Sequence, residues 1–284
     1  MGIVHRRQRR LGLIGVIVAV GLVASACTSP VFGTAAGPIR HGTLYSDSGD
    51  QYSYTADGSK VTATPPSPSD PSIREAFWRT DTPYYGDQQA CITWMTNAIS
   101  QPGEPVQPGL AMRIAPTGTD DKGIKAITVT ENVMYNAVWV FNVHVWDTTR
   151  SGSPFDLVGQ FDLSNLLVTS SVDQNGDTHL SLVPPPWYVC ARTQGNQFTF
   201  KVWTGSNPEP AWDDPTHVFT TTLPDGWDYP GYSGGYVGHL HQGQSATFTD
   251  VSTMPLCLAS DMVDTPHCQD LLDTTTTTAA ARPG

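Results

Sequence analysis

The chain has 284 residues, of which 39% are hydrophobic, 10% aromatic and 14% charged, with 26 Gly and 23 Pro. So few charges and so many aromatics exclude wholesale disorder, because there is enough apolar surface to offset the entropy of ordering the backbone. A net charge of −11 excludes a nucleic-acid partner, whose phosphates call for an excess of Lys and Arg.

In chain order, residues 1 to 26 come first and read as an export signal. Arg6, Arg7, Arg9 and Arg10 precede an apolar run, Leu11 to Ala24, followed by small residues. A helix spans a bilayer with about 20 apolar residues, so this run is too short for a permanent membrane span. Deleting residues 1–26 removes four Arg and no acid, which leaves the exported part more acidic still. The string VASAC, ending at Cys27, resembles the lipobox of bacterial lipoproteins. That resemblance implies that Cys27 carries diacylglycerol, becomes the mature N-terminus and holds the protein on the outer face of the cell membrane through lipid alone. Cysteine parity agrees: an exported chain meets oxidising conditions, and lipidating Cys27 leaves four of five cysteines to pair. Of the three possible connectivities, the expected one is Cys91 with Cys190 and Cys257 with Cys268.

Residues 27–40 are small, Gly- and Pro-containing and aperiodic, and read as a flexible tether. From 41 to 256 the chain reads as one β-sandwich. QQACITWMTNAI, ENVMYNAVWVFNVHVW and FTFKVW alternate apolar and polar residues with the period of half-buried strands. TPPSPSDPS, QPGEPVQPG, TGTDDKG, DQNGD and LPDGWDYPGYSGG supply the turns between strands. GYSGG around Ser233 belongs to the last of these and reads as a Gly-rich turn; no G-x-S-x-G elbow exposes a serine nucleophile. Residues 257–273 form an extension clipped by the second disulfide, and 274–284, TTTTTAAARPG, an expected disordered tail.

FTFKVWTGSNPEPAW followed by GYSGGYVGHLHQGQSATFTDVS resembles the C-terminal half of bacterial concanavalin A-like lectin/glucanase domains of the laminin G type, carried by Lys201, Trp203, Pro210, Trp212, Gly235, Val237, Gly238, Phe248 and Asp250. The resemblance implies an all-β jelly-roll sandwich of two antiparallel sheets, with a concave face of the kind that often binds glycans. Glucanases of this superfamily carry ExDxxE, and retaining hydrolysis needs two carboxyls about 5 to 5.5 Å apart. Beyond the signal the chain has Glu75, Glu104, Glu131 and Glu209 only, no two spaced for that motif. Asp147, Asp213, Asp214, Asp225 and Asp228 leave an Asp-based hydrolase open, although Asp in loops more often caps turns.

If 131–147 is one strand, period two puts Tyr135, Ala137, Trp139, Phe141, Val143 and Val145 in the core and Asn136, Val138, Val140, Asn142, His144 and Trp146 on the opposite face. Phe198, Phe200 and Val202 likewise leave Thr199, Lys201 and Trp203 opposite them. Were these strands to share a sheet, Asn142, His144, Trp146, Lys201 and Trp203 would line one trough offering aromatic planes to sugar C–H faces and polar groups to hydroxyls. The competing expectation is that Trp146 and Trp203 are covered as a second small core. His239 and His241 would project from one side of a strand, a spacing that can grip a metal, but no third ligand is evident. The resemblance also allows calcium, with Asp47, Asp50 and Asp250 as candidate ligands; DSGDQ lacks the spacing of a complete calcium loop. The expectation is a non-catalytic, lipid-anchored binder of cell-wall or extracellular glycan. A polysaccharide hydrolase and a protein-binding scaffold or adhesin are the alternatives.

Overall fold

The structure, a computed structural model, describes residues 37–82, 84–95, 106–117, 123–132, 139–205 and 207–256; the side chain of Asp250 is outside that description. The export signal, Cys27, most of the tether, Cys257, Cys268 and the tail therefore lie outside the described residues. In chain order the described elements are β1 (Ile39–Tyr45), β2 (Ser53–Asp57), β3 (Lys60–Thr64), β4 (Arg74–Arg79), β5 (Gln88–Trp94), β6 (Gln107–Thr117), β7 (Gly123–Glu131), β8 (Val140–Asp147), β9 (Phe155–Asp162), the helical turn α1 (Ser164–Leu167), β10 (Val168–Val172), β11 (Thr178–Leu182), β12 (Trp187–Gln194), β13 (Gln197–Thr204), β14 (Val218–Thr222), β15 (Tyr232–Gly238) and β16 (Ala246–Pro255). β1 starts at Ile39, so the last two residues of the expected tether are already paired with β4.

Two seven-stranded antiparallel sheets form the sandwich expected from the sequence. Sheet I runs β1-β4-β15-β6-β7-β8-β9 and sheet II runs β14-β13-β12-β5-β16-β3-β2. β10 and β11 form a separate hairpin. Alternation dictates which side chains meet between the sheets. Phe141 of sheet I stacks on Trp94 at 5.5 Å and on Phe200 at 6.2 Å, and lies 6.4 Å from Trp187, all three from sheet II. Val143 and Val145, Phe198 and Val202 fill the same layer, as their period predicts. Each such aromatic contributes about 2–3 kcal/mol through burial, and well-oriented ring pairs add roughly 0.5–1.5 kcal/mol.

Three expectations need correcting. The stretch 131–147 is not one strand: Glu131 closes β7, the Asn132 N–H donates to the Val140 carbonyl at 2.8 Å, and β8 returns beside β7. Tyr135, Asn136, Ala137 and Val138 lie outside the described residues. GYSGG is strand rather than turn, because its glycines admit the neighbouring chain. A Cβ on Gly234 would stand 1.9 Å from the Phe77 carbonyl oxygen, and one on Gly235 would stand 2.2 Å from the Phe77 ring. Finally, His239 and His241 follow the end of β15 instead of alternating on it. His239 takes a left-handed φ of 58°, which breaks the strand's period.

The expected pairing of Cys91 with Cys190 is present, joining directly opposed residues of β5 and β12. Arg113, fully buried beside a β-bulge of β6, donates to the carbonyls of Gly86, Gly195 and Trp227 and pairs with Asp87 at 3.1 Å. One guanidinium thereby gathers three loops.

Glu131 is fully buried, and neither carboxylate oxygen has a hydrogen-bond partner; burial pushes its carboxyl well above the usual range. A raised folded-state pKa means that the fold is favoured while the acid is neutral. This contribution is complete below the unfolded value of about 4.3 and is lost as pH rises. Glu131→Leu is therefore expected to gain stability relative to the wild type as pH climbs from about 4.3, with the gap closing towards acid. Urea midpoints measured from pH 4 to 8 check this, and a gap that does not vary with pH would count against it.

Candidate functional site

Because Phe141 and Phe200 face each other across the core, their strands lie in opposite sheets. Their alternate residues therefore point away from each other. Asn142, His144 and Trp146 of β8 occupy the outer face of sheet I, whereas Lys201 and Trp203 of β13 occupy the outer face of sheet II. The five residues do not form the single trough that a shared sheet would have made.

On sheet II, Lys201 has an internal task. Its side chain is only 1% exposed, its Nζ donates to the Pro210 carbonyl at 2.6 Å, and it pairs with Glu209 at 2.7 Å. Trp212 is gripped between cations, with the Arg192 guanidinium 4.0 Å and the Lys201 ammonium 4.4 Å from its ring centre. Trp203 stacks on Tyr188 at 5.2 Å. Lys201, Pro210 and Trp212 thus fold the segment after β13 back over the sheet. A buried ammonium satisfied in this way has little left for a ligand.

The outer face of sheet I is different. Strand register places Ala76, Tyr236, Gly109, Thr130, Asn142 and Gln160 in one row across six strands. The adjacent row is Trp78, Gly234, Ala111, Thr128, His144 and Leu157. At one end the face is apolar: Trp146 is 2% exposed, packs on Phe155 at 4.8 Å and Tyr236 at 6.2 Å, and donates its indole N–H to Thr128 at 2.9 Å. Trp146 is therefore part of a second small core, as the competing expectation had it, and does not offer an open plane. Phe155 beside it is exposed.

Towards the other end the face is polar and mostly neutral. Gln160 donates to Asn142 Oδ1 at 3.1 Å, and the Tyr236 hydroxyl donates to Gln107 Oε1 at 2.7 Å. The Asn142 amide donors and the Gln160 carbonyl retain capacity for a ligand. The Nδ1 of His144 is buried without a hydrogen-bond partner, and burial first, then the positive charge of Arg74, holds this imidazole down to about 4. It is neutral at physiological pH. Gln160 and Phe155 escape period-two reading because a β-bulge at Val143/His144 shifts the register of β9.

A further concavity of about 650 Å³ opens at the sandwich edge, between β1 and the segment Gln51–Ala56, lined in part by His41 and Tyr54. Behind it lies Glu75, fully buried. Its carboxylate accepts from the Tyr54 hydroxyl at 2.9 Å and the Tyr52 N–H at 3.2 Å, and stands 3.2 Å from His41 Nδ1.

The metal candidates whose side chains are described do not form a cluster of three ligands. Asp47 accepts the Tyr45 hydroxyl at 2.6 Å, Asp50 is exposed, and the His239 Nε2 is hydrogen-bonded to Arg74. Among the described residues no group of three His, Cys, Asp or Glu could hold a metal ion.

No family model matches the chain, and no curated protein matches it. Among solved structures it is similar to the exoplasmic/lumenal domain of VIP36 in its Ca2+/Man3GlcNAc-bound form (10% identity, TM-score 0.43, covering 82% of this chain and 89% of that one). It is also similar to a Bacillus subtilis protein of unknown function with a galectin-like fold (13% identity, TM-score 0.41, 76% and 88% covered). A third likeness is to the CBM2 module of the Lactobacillus casei BL23 phage J-1 evolved Dit (13% identity, TM-score 0.35, 70% and 79% covered). At these values the likenesses carry no ligand or residue role to this chain, and the two-sheet assignment rests on its own hydrogen-bonded ladders.

Lys201→Met is expected to lower stability by about 1–3 kcal/mol, since it strands the Pro210 carbonyl and removes a charge-assisted hydrogen bond, while the exposed Glu209 carboxylate returns to water. Any ligand binding on the outer face of sheet I should be unchanged, because that face is on the far side of the core. Denaturation and binding measured on the same preparation test both halves, and a loss of binding at unchanged stability would return Lys201 to the site.

Proposed function

We propose that the chain is a non-catalytic, glycan-binding protein, exported and held on the outer face of the cell membrane by a lipid on Cys27, which binds cell-wall or extracellular glycan across the outer face of sheet I. The observation that carries this reading is the group of neutral polar side chains in two adjacent rows, Asn142 with Gln160 and His144 beside them, next to exposed Phe155 on one sheet face. Sugars present a C–H face and a ring of hydroxyls. An exposed aromatic ring next to amides and an unprotonated imidazole complements both. The absence of an ExDxxE spacing supports binding over hydrolysis by that mechanism.

The alternative of a protein-binding scaffold has one observation in its favour. In the hairpin β10–β11, Val168, Val172, Leu180 and Leu182 share one face, and Val172 and Leu180 are 68% and 65% exposed.

The test is a glycan array with the full chain, followed by titration of the best ligand. Asn142→Ala and Gln160→Ala should each weaken binding about 5- to 10-fold at unchanged melting temperature, the equivalent of one or two hydrogen bonds. Binding insensitive to both substitutions would remove the site from this face. Mass spectrometry of the mature N-terminus is expected to find acylated Cys27; an unmodified Cys27 would refute the anchor and leave the glycan reading standing.

A further inference from the structure

Arg74 occupies the outer face of sheet I at the end opposite Phe155, directly across from Tyr45 of β1 and Gly238 of β15. It is half-buried, and among the described residues no carboxylate stands within ion-pairing distance of it. One terminal nitrogen donates to the Ser72 carbonyl, and the other is hydrogen-bonded to His239 Nε2. Both partners are uncharged: burial, with the charges of Arg74 and His241, holds His239 down to about 3. Glu75, next in sequence, alternates to the inner side of the strand and accepts from the Tyr52 N–H and the Tyr54 hydroxyl, and Asp47 accepts the Tyr45 hydroxyl; Asp70 has its carboxylate occupied by the Ser48 N–H and hydroxyl, the Ser72 N–H and the Ser46 hydroxyl. A guanidinium has five N–H donors in a planar fork, so donors beyond these two remain on a cation that no carboxylate among the described residues neutralises. This is unusual placement in a chain of net charge −11, where acids to pair with are abundant.

Beside this cation is an aromatic surface. The Tyr45 ring is 38% exposed, lies 5.8 Å from the guanidinium carbon, and is held by its hydroxyl's bond to Asp47. Building on the glycan reading above, we infer that Arg74 and Tyr45 form a subsite for an acidic sugar: the ring supports the C–H face and the guanidinium receives the carboxylate of a uronic acid. Bidentate pairing of guanidinium with carboxylate gives orientation as well as attraction. Four strand spacings, each about 4.8 Å, separate Arg74 from Asn142, so a ligand reaching both ends of the face is an oligosaccharide.

The experiment compares binding of the full chain to polygalacturonate and to the same polymer fully methyl-esterified, with polyglutamate as an anion that is not a sugar. The acid form is expected to bind at least 10-fold more tightly than the ester and to weaken with salt; polyglutamate should bind no better than the ester. Arg74→Gln should abolish the preference, Arg74→Lys should retain part of it, and Tyr45→Ala should weaken both forms alike. Equal binding of acid and ester, a preference that survives Arg74→Gln, or polyglutamate binding as tightly as polygalacturonate would each overturn the subsite. Should Arg74→Gln fail to fold, the wild-type comparison and Arg74→Lys still decide. If neutral glycans bind in a manner sensitive to Asn142→Ala without any preference for acid, this inference falls and the glycan reading stands. If neither polymer nor any array glycan binds, both fall.

Discussion

Phe141 stacked against Trp94 and Phe200 is the contact on which the rest of the structure depends. It joins the middle strands of sheet II to β8 of sheet I and thereby decides which face of each strand is inside. Once that choice is made, alternation leaves no freedom: Asn142 and His144 must face outward from one sheet and Lys201 and Trp203 outward from the other. The layer is worth many kcal/mol in burial, whereas any polar contact on an outer face is worth about one. The core therefore sets the site and not the reverse.

The two outer faces are put to contrasting use. On sheet II the Lys201–Trp212 latch and the Cys91–Cys190 bridge consume the outward side chains in holding the chain together. On sheet I the Trp146 cluster secures one end, and the polar groups beyond it are only partly satisfied. Unmet hydrogen-bonding capacity on a half-buried surface is costly unless a ligand or water meets it, which makes this face the one with chemistry to offer. Arg74 fits the same logic in electrostatic form, since a half-buried cation hydrogen-bonded only to neutral groups is most stable with an anion beside it.

Buried ionisable groups mark where the fold departs from a purely apolar interior. Arg113 and Glu75 are surrounded by partners, and each ties several segments together. Glu131 has none and is accommodated by staying protonated. The stability lost as pH rises above about 4.3 follows from the same desolvation of its carboxylate.

The sequence by itself determined the inward-facing residues Phe141, Val143, Val145, Phe198, Phe200 and Val202 through a period of two and pointed to an all-β fold, whereas the Cys91–Cys190 pairing, one of three open to it, was decided by strands β5 and β12 lying side by side. It also revealed the lack of the glucanase glutamate spacing, which needs no coordinates. Tertiary structure alone decided that β8 and β13 belong to different sheets, since strand order is a property of long-range pairing and leaves no mark on local periodicity. It decided too that Gln160 and Phe155 join Asn142 and His144, because a single bulge in β9 shifts the alternation by one. Arg74 and Tyr45 became neighbours through antiparallel pairing of strands 29 residues apart, a closeness that no spacing along the chain expresses.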